Sequence, residues 1–165
     1  MEEQEETAVV YRPIGVIHTP FHAIEGMPIQ PRGALGVPGT VDVLPEYHAA
    51  LADLDGFSHV ILLYHFHRVS GVKLRVIPFL DTVERGVFAT RAPVRPNPIG
   101  LSVVRLRSIL AGTLQVENVD VLDGTPLLDI KPYIPEFDSF GVDSIGWCDS
   151  SLRCLPEKRS DDRFG

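Results

Sequence analysis

The chain has 165 residues, 44% of them apolar, and a formal net charge of −7. That length suits one domain with a core of useful size, and that charge argues against a nonspecific nucleic-acid coat. No apolar run reaches the about 18 residues needed to span a membrane, and no Gly-x-Gly-x-x-Gly or P-loop spacing is present, so doubly wound nucleotide binding lacks its signal.

In chain order, residues 1–8 read as a solvated acidic tail with Glu2, Glu3, Glu5 and Glu6. This is the opposite of a signal peptide's positive start and points to the cytoplasm. Residues 9–140 form the expected domain. Arg12–His18 reads as a strand that stops at Thr19-Pro20. An irregular stretch follows from Phe21 to Pro38, rich in proline and glycine, and Thr40–Leu44 is a short strand. Pro45–Leu54 is the best helix, with a proline at its start and an early acid. Phe57–His67 is a long apolar strand. Lys73–Ile77, Gly86–Thr90, Ser102–Leu110, Thr113–Leu122 and Leu127–Tyr133 are further strands. Asp123-Gly124 between two apolar runs signals a hairpin. Residues 141–165 are expected to be a tail without a recognised second domain, frayed from 156 onward. The fold class expected is mainly β: a small closed or nearly closed barrel with one or two short helices.

The charge is unevenly spread. From Arg85 to Arg107 there are five arginines and no carboxylate, and arginine outnumbers lysine twelve to three. Planar, bidentate guanidinium groups suit carboxylates and phosphates. The bland alternative is pairing with surface acids. Within this span lies TRAPVRPNPIG, residues 90–100, with three prolines. Proline fixes its own φ and holds the preceding residue extended, so Arg95 and Asn97 are pre-ordered. A stiff barrel corner would explain the prolines but not the arginines and asparagine between them. Preorganisation of this kind favours a ligand site.

Three other groups carry chemistry. DVLDGTPLLDIKPY, residues 120–133, offers Asp120, Asp123, Asp129, Lys131 and Tyr133. Asp129 lies within an apolar strand and shares a face with Lys131. It is either half of a structural ion pair or a carboxylate aimed at a cationic or amine ligand. His59, His65 and His67 have one parity along their strand, but no carboxylate-rich motif accompanies them, so packing or hydrogen bonding is favoured over a metal. Gln30 and Arg32 lie in the proline-shaped loop MPIQPRG, residues 27–33. Cys148 and Cys154 could form one disulfide, but a cytosolic chain favours two free thiols, and the lack of a Cys-x-x-Cys argues against zinc. No Gly-x-Ser-x-Gly elbow supports serine hydrolysis.

RPIGVIHTPF, FSHVILLYHFHR, GVFATRAPVRPNPIGLS and DVLDGTPLLDIKPY together resemble the YaeB/TrmO-like family, over about residues 12–135. The resemblance implies a β-barrel, usually dimeric, S-adenosylmethionine-dependent tRNA methyltransferase. It would act on the exocyclic N6 amine of threonylcarbamoyladenosine beside the anticodon. By motif position, cofactor contacts are expected at Gln30, Pro31, Arg32, His67, Arg68, Arg91, Leu101, Asp123, Gly124, Thr125 and Pro126. Substrate contacts are expected at Arg95 and Lys131. Asn97, Asp129 and Tyr133 are the candidates for orienting the amine or accepting its proton. No metal is expected. The alternative is a regulatory or interaction module that binds S-adenosylmethionine without methylating tRNA.

Overall fold

A computed structural model describes residues 7–148 and 159–164. The described residues form eight strands, interspersed with short 3₁₀ turns and one short α-helix, Pro135–Asp138: β1 Gly15–His18, β2 Pro38–Val43, β3 His59–His65, β4 Arg75–Val76, β5 Arg85–Gly86, β6 Ile99–Leu110, β7 Thr113–Glu117 and β8 Thr125–Pro132. Six of them close a barrel in the order β1-β2-β7-β6-β3-β8, with every pairing antiparallel. The expected β-barrel class is therefore found.

Alternation builds the barrel core. Val60, Leu62 and Tyr64 of β3 point inward, as do Val104 and Leu106 of β6. Ile17, Val41, Leu114 and Leu127 meet them from the other strands, each fully buried. Residues between these inward positions face out, including His59 and His65. The β6–β7 register shifts between Leu106 and Ser108, and β3–β8 between Leu63 and Tyr64. Such irregularities add the local bend a small barrel requires.

Beside the barrel sits a second, smaller core of Val76, Val87, Ala92, Val94 and Phe164, with Val69 and Phe79 packed against it. The two-stranded β4–β5 ribbon belongs to this satellite. It gives the segment from Val87 to Val94 a rigid underside.

Several expectations are corrected. Pro45–Leu54 is not an α-helix. A 3₁₀ helix spans Pro45–Leu51, Asp53 turns left-handed at φ 66°, and a further 3₁₀ turn covers Leu54–Gly56. Tyr47, Leu51 and Leu54 pack against the barrel core, and burying those three side chains favours short turns over one continuous helix. Gly86–Thr90 is strand only at its first residue, because Thr90 N–H bonds the Val87 carbonyl in a 3₁₀ turn over Val87–Ala89. Thr113–Leu122 stops as a strand at Glu117, where Asn118 takes φ 68°.

Asp123-Gly124 does not make a hairpin. β7 and β8 are not neighbours, and this segment crosses from one side of the ring to the other. Its backbone amides bond Phe21 and Ile17 carbonyls instead. The tight hairpin is at Ala111-Gly112, joining β6 to β7 with both φ values positive, 50° and 83°. The frayed end expected from 156 onward does not hold for residues 159–164: Ser160 and Phe164 are buried. Cys148 is a free thiol, and Cys154 lies outside the described residues.

Candidate functional site

The proline loop runs from the satellite core into β6. Ala92 and Val94 are buried in that core, so Arg91, Pro93 and Arg95 alternate outward from it. Arg95 braces the loop itself: its Nη1 donates to the carbonyls of Thr90 (2.9 Å) and Ala92 (3.1 Å). Its guanidinium also lies over the exposed Phe88 ring, 6.0 Å from the centroid. Asn97 is exposed, and its backbone carbonyl accepts from Ile99 N–H at 2.7 Å as β6 begins.

Arg91 reaches away from the loop. Its Nη1 donates to Gln30 Oε1 at 3.3 Å, joining two segments 61 positions apart. Gln30 precedes the 3₁₀ turn Pro31–Ala34, whose first residue is a proline. Arg32 on that turn is exposed. Of the five arginines from 85 to 107, Arg85 pairs with Asp81 and Arg107 with Glu117. Among the described residues Arg91 and Arg95 have no carboxylate partner. The bland reading thus holds for part of the patch, whereas Arg91 and Arg95 bond neutral groups, the Gln30 amide and the Thr90 and Ala92 carbonyls.

A hydrogen-bonded chain within the barrel feels the charge of Arg91. Tyr64 Oη and Ser102 Oγ are 2.9 Å apart, and Ser102 Oγ donates to Asp120 Oδ1 at 2.6 Å. Tyr64 and Ser102 are buried within the barrel. Burial pushes the Asp120 carboxyl up from an ordinary 3.8 to about 6, opposed by the Ser102 hydrogen bond and by the charge of Arg91. Burial also drives the Tyr64 phenol upward, with the Asp120 charge adding to it and Arg91 opposing it. Gly100 explains its place in the motif here. A Cβ at that position would lie 2.2 Å from the Tyr64 ring, so only glycine lets the ring rest on β6. Sequence reasoning named Asp120 without a role and missed Tyr64 and Ser102. Glycine two residues before a serine on one strand was the available signal.

The remaining expected residues fall into two further groups. Asp123 accepts from Thr19 N–H (3.1 Å) and lies 3.1 Å from His18 Nδ1 and 3.5 Å from His22 Nδ1. The Thr19 amide, followed by the two imidazoles, holds its carboxyl below the usual range against a burial effect of opposite sign. Gly124 takes φ 77°, buried Thr125 donates to the Leu122 carbonyl, and Pro126 sits opposite Val16. This group fixes the crossover where β8 enters the ring.

The other group lies on the outer face of β6, β3 and β8. Register sets Leu101 opposite Leu63 and Leu63 opposite Asp129; Lys131 stands opposite Ile61. Lys131 Nζ and Asp129 Oδ2 form an ion pair at 2.9 Å, both partly exposed. Tyr133 packs its ring edge against His59, with centroids 6.4 Å apart. Just beyond β3, burial and then the charges of Arg68 and His65 lower the His67 pKa, and Arg68 itself is exposed. Among the described residues no group of three or more metal-ligating side chains is assembled. A cleft of about 280 Å³, lined by Ile14, Tyr47, Leu51, Leu54 and Phe57, takes in Asp129 but not Gln30 or Arg91.

Guanidinium and amide thus meet where the loop of Gln30 reaches that of Arg91, and the Asp120 carboxylate feels the charge of that guanidinium. Such a set fits a small zwitterionic or cationic ligand with a carboxylate of its own. The fold and this cluster define a compact antiparallel barrel with a ligand rim ordered by prolines, outside the doubly wound nucleotide-binding architectures. The chain belongs to the family of the tRNA-methyltransferase O N-terminal domain, whose model matches residues 16–139.

A probable S-adenosyl-L-methionine-binding protein from Pyrococcus abyssi is 51% identical over 156 residues, covering 94% of this chain and 85% of that one. The tRNA (adenine(37)-N6)-methyltransferase of Mus musculus is 39% identical over 136 residues, covering 77% of this chain. This chain spans about 31% of that mouse enzyme's length. The crystal structure of TrmO from Pseudomonas aeruginosa superposes with a TM-score of 0.73 at 41% identity, covering 87% of this chain and 64% of that one.

Proposed function

We propose that the chain is an S-adenosylmethionine-dependent methyltransferase acting on the exocyclic N6 of threonylcarbamoyladenosine beside the tRNA anticodon. The observation that carries this reading is the junction of Arg91 with Gln30, its guanidinium charge acting on the partly buried Asp120, on a barrel of this family. The donor set fits the cofactor: Arg91 and Gln30 suit its carboxylate, and Asp120 suits its positive charge. Arg32, His67, Arg68, Leu101 and the crossover Asp123–Pro126 complete the proposed cofactor contacts.

S-adenosylmethionine supplies an electrophilic methyl group on a sulfonium sulfur. In the transfer the carbon–sulfur bond breaks, a carbon–nitrogen bond forms, and the amine loses one proton. An exocyclic adenine amine is a weak nucleophile, so the protein's work is alignment and proton handling. In this reading Asn97 orients the base and Asp129, released from Lys131, accepts the proton; Tyr133, packed on His59 at the far end of β3 from Asn97, would reach a different part of the substrate. Lys131 and Arg95 then hold substrate anions. The reading includes the cytoplasm as location and a homodimer. Ile99 and Leu101 on β6, 41% and 48% exposed, offer apolar surface for a second copy.

A second reading also has support. The relative from Pyrococcus, most of whose length this chain covers, is named only as a binding protein. The alternative is therefore a module that binds S-adenosylmethionine and transfers nothing.

Labelled S-adenosylmethionine offered with tRNA, with and without the threonylcarbamoyl modification, decides between them. Label confined to modified tRNA is expected. Cofactor binding by calorimetry without label on either tRNA would overturn the enzyme reading and favour the module.

A further inference from the structure

Residues 159–164 lie against both loops that meet at the Gln30–Arg91 contact. On one side Arg159 bridges to Pro28, Ser160 N–H donates to the Met27 carbonyl (2.8 Å), and Gly26 N–H donates to the Ser160 carbonyl (2.8 Å). The Ser160 hydroxyl donates to the Ile24 carbonyl and accepts from Met27 N–H. On the other side Phe164 is buried in the satellite core, edge-on to Phe79 at 5.0 Å. Arg163 lies over the Phe79 ring and donates to the carbonyls of Ile77 and Pro78.

Among the described residues, the backbone hydrogen bonds that tie residues 22–29 to another segment run to Ser160. That stretch contains no regular strand or helix. Left to itself, it would hold Gln30 near Arg91 only part of the time. The satellite core fixes Arg91 through Ala92 and Val94, and Phe164 fills that same core. One six-residue segment therefore joins the support of Gln30 to the support of Arg91.

We propose that Ser160 and Phe164 are positioning residues that clasp the Gln30 loop to the satellite core, so that Gln30 and Arg91 meet before the cofactor arrives. The effect on affinity rests on reading Gln30 and Arg91 as cofactor contacts; the mechanical coupling does not. A ligand that binds only the assembled arrangement loses apparent affinity in proportion to the fraction of molecules assembled. Neither residue needs to touch the cofactor.

The test uses the full chain with Ser160→Ala, Phe164→Ala and the conservative Phe164→Leu. Amide hydrogen exchange without cofactor is read at 24–30 and at 87–95. The clasp requires crossed effects. Ser160→Ala, which removes no core volume, should speed exchange at 87–95 as well as locally. Phe164→Ala should speed it at 24–30, and Phe164→Leu should restore most of the protection.

Calorimetry with S-adenosylmethionine should then give a dissociation constant raised about five- to tenfold for both alanine variants. Loosening confined to each variant's own side would overturn the proposal. So would crossed loosening with affinity within about twofold of the parent. If the parent itself binds no S-adenosylmethionine, the functional reading fails while exchange alone still decides the clasp.

Discussion

Arg91 lowers the pKa of Asp120 by its charge, and the two residues predict different things. Arg91→Ala should weaken S-adenosylmethionine binding by about tenfold or more, the scale of one charge-assisted contact of 1.5–3 kcal/mol. Calorimetry measures it. Arg91→Lys should recover only part of that affinity, because a point charge cannot reproduce the planar fork. Asn97→Ala should lower the transfer rate with cofactor affinity nearly kept; unchanged turnover would remove Asn97 from the mechanism.

For Asp120, the native carboxyl holds its proton up to about 6, against 3.8 for an ordinary aspartate. The native state therefore binds more protons than the unfolded chain between those values. The stability this group contributes is greatest in acid and falls as pH rises through that window. Asp120→Asn lacks the loss. Its stability relative to the parent should improve between about pH 4 and pH 7, read from urea midpoints. A difference between the two proteins that does not change with pH would refute the assignment. At this scale the sequence displayed the motif residues openly. It hid Tyr64 and Ser102, because an inward tyrosine and an inward serine look like ordinary strand residues until the register sets them on adjacent strands.

Among the elements, the Ala111-Gly112 turn carries the clearest test. Ala111 is exposed at φ 50°, where a side chain costs about 1 kcal/mol and glycine or asparagine fits better. Ala111→Gly should raise the melting temperature by about 2–4 °C. Gly112→Ala should do the reverse and more: its Cβ would lie 1.9 Å from His48 Nε2, which is also 2.9 Å from the Val43 carbonyl. Strand periodicity was legible from sequence, since β3 and β6 alternate cleanly. Turn chemistry was read at the wrong place. Asp123-Gly124 has hairpin composition, but ring closure makes it a crossover, and Ala-Gly is a weaker signal for the hairpin that does form. The run from Pro45 to Leu54 has helical composition, yet Asp53 ends it and its apolar residues pack as separate turns. Local propensity lost to tertiary burial in each case.

For the molecule as a whole, 22 acidic against 15 basic residues disfavour a polyanion away from the arginine rim. If the arginine rim and Lys131 make the tRNA contacts, about three phosphates are neutralised. Affinity should then fall with salt on a log–log slope of roughly 2, far shallower than for a basic RNA-binding protein. A slope near zero would argue against phosphate contacts. The architecture was legible because strand count, absent crossover helices and motif order agreed. The satellite core was not, because its members come from distant short segments, and Phe164 joins Val76 and Val87 across much of the chain.

The ring is shut by its first strand meeting its last: Gly15 stands opposite Leu127 and Ile17 opposite Thr125. During synthesis, β1 must therefore wait for most of the chain to emerge before it finds its second neighbour. Until then Ile17 and Val41 have an open side. Topologies dominated by such remote pairing fold in milliseconds to seconds rather than microseconds. The closed circle that leaves the finished barrel without an edge also makes its nascent form slow to complete and exposed to self-association, so its yield in the cell should depend on chaperone supply.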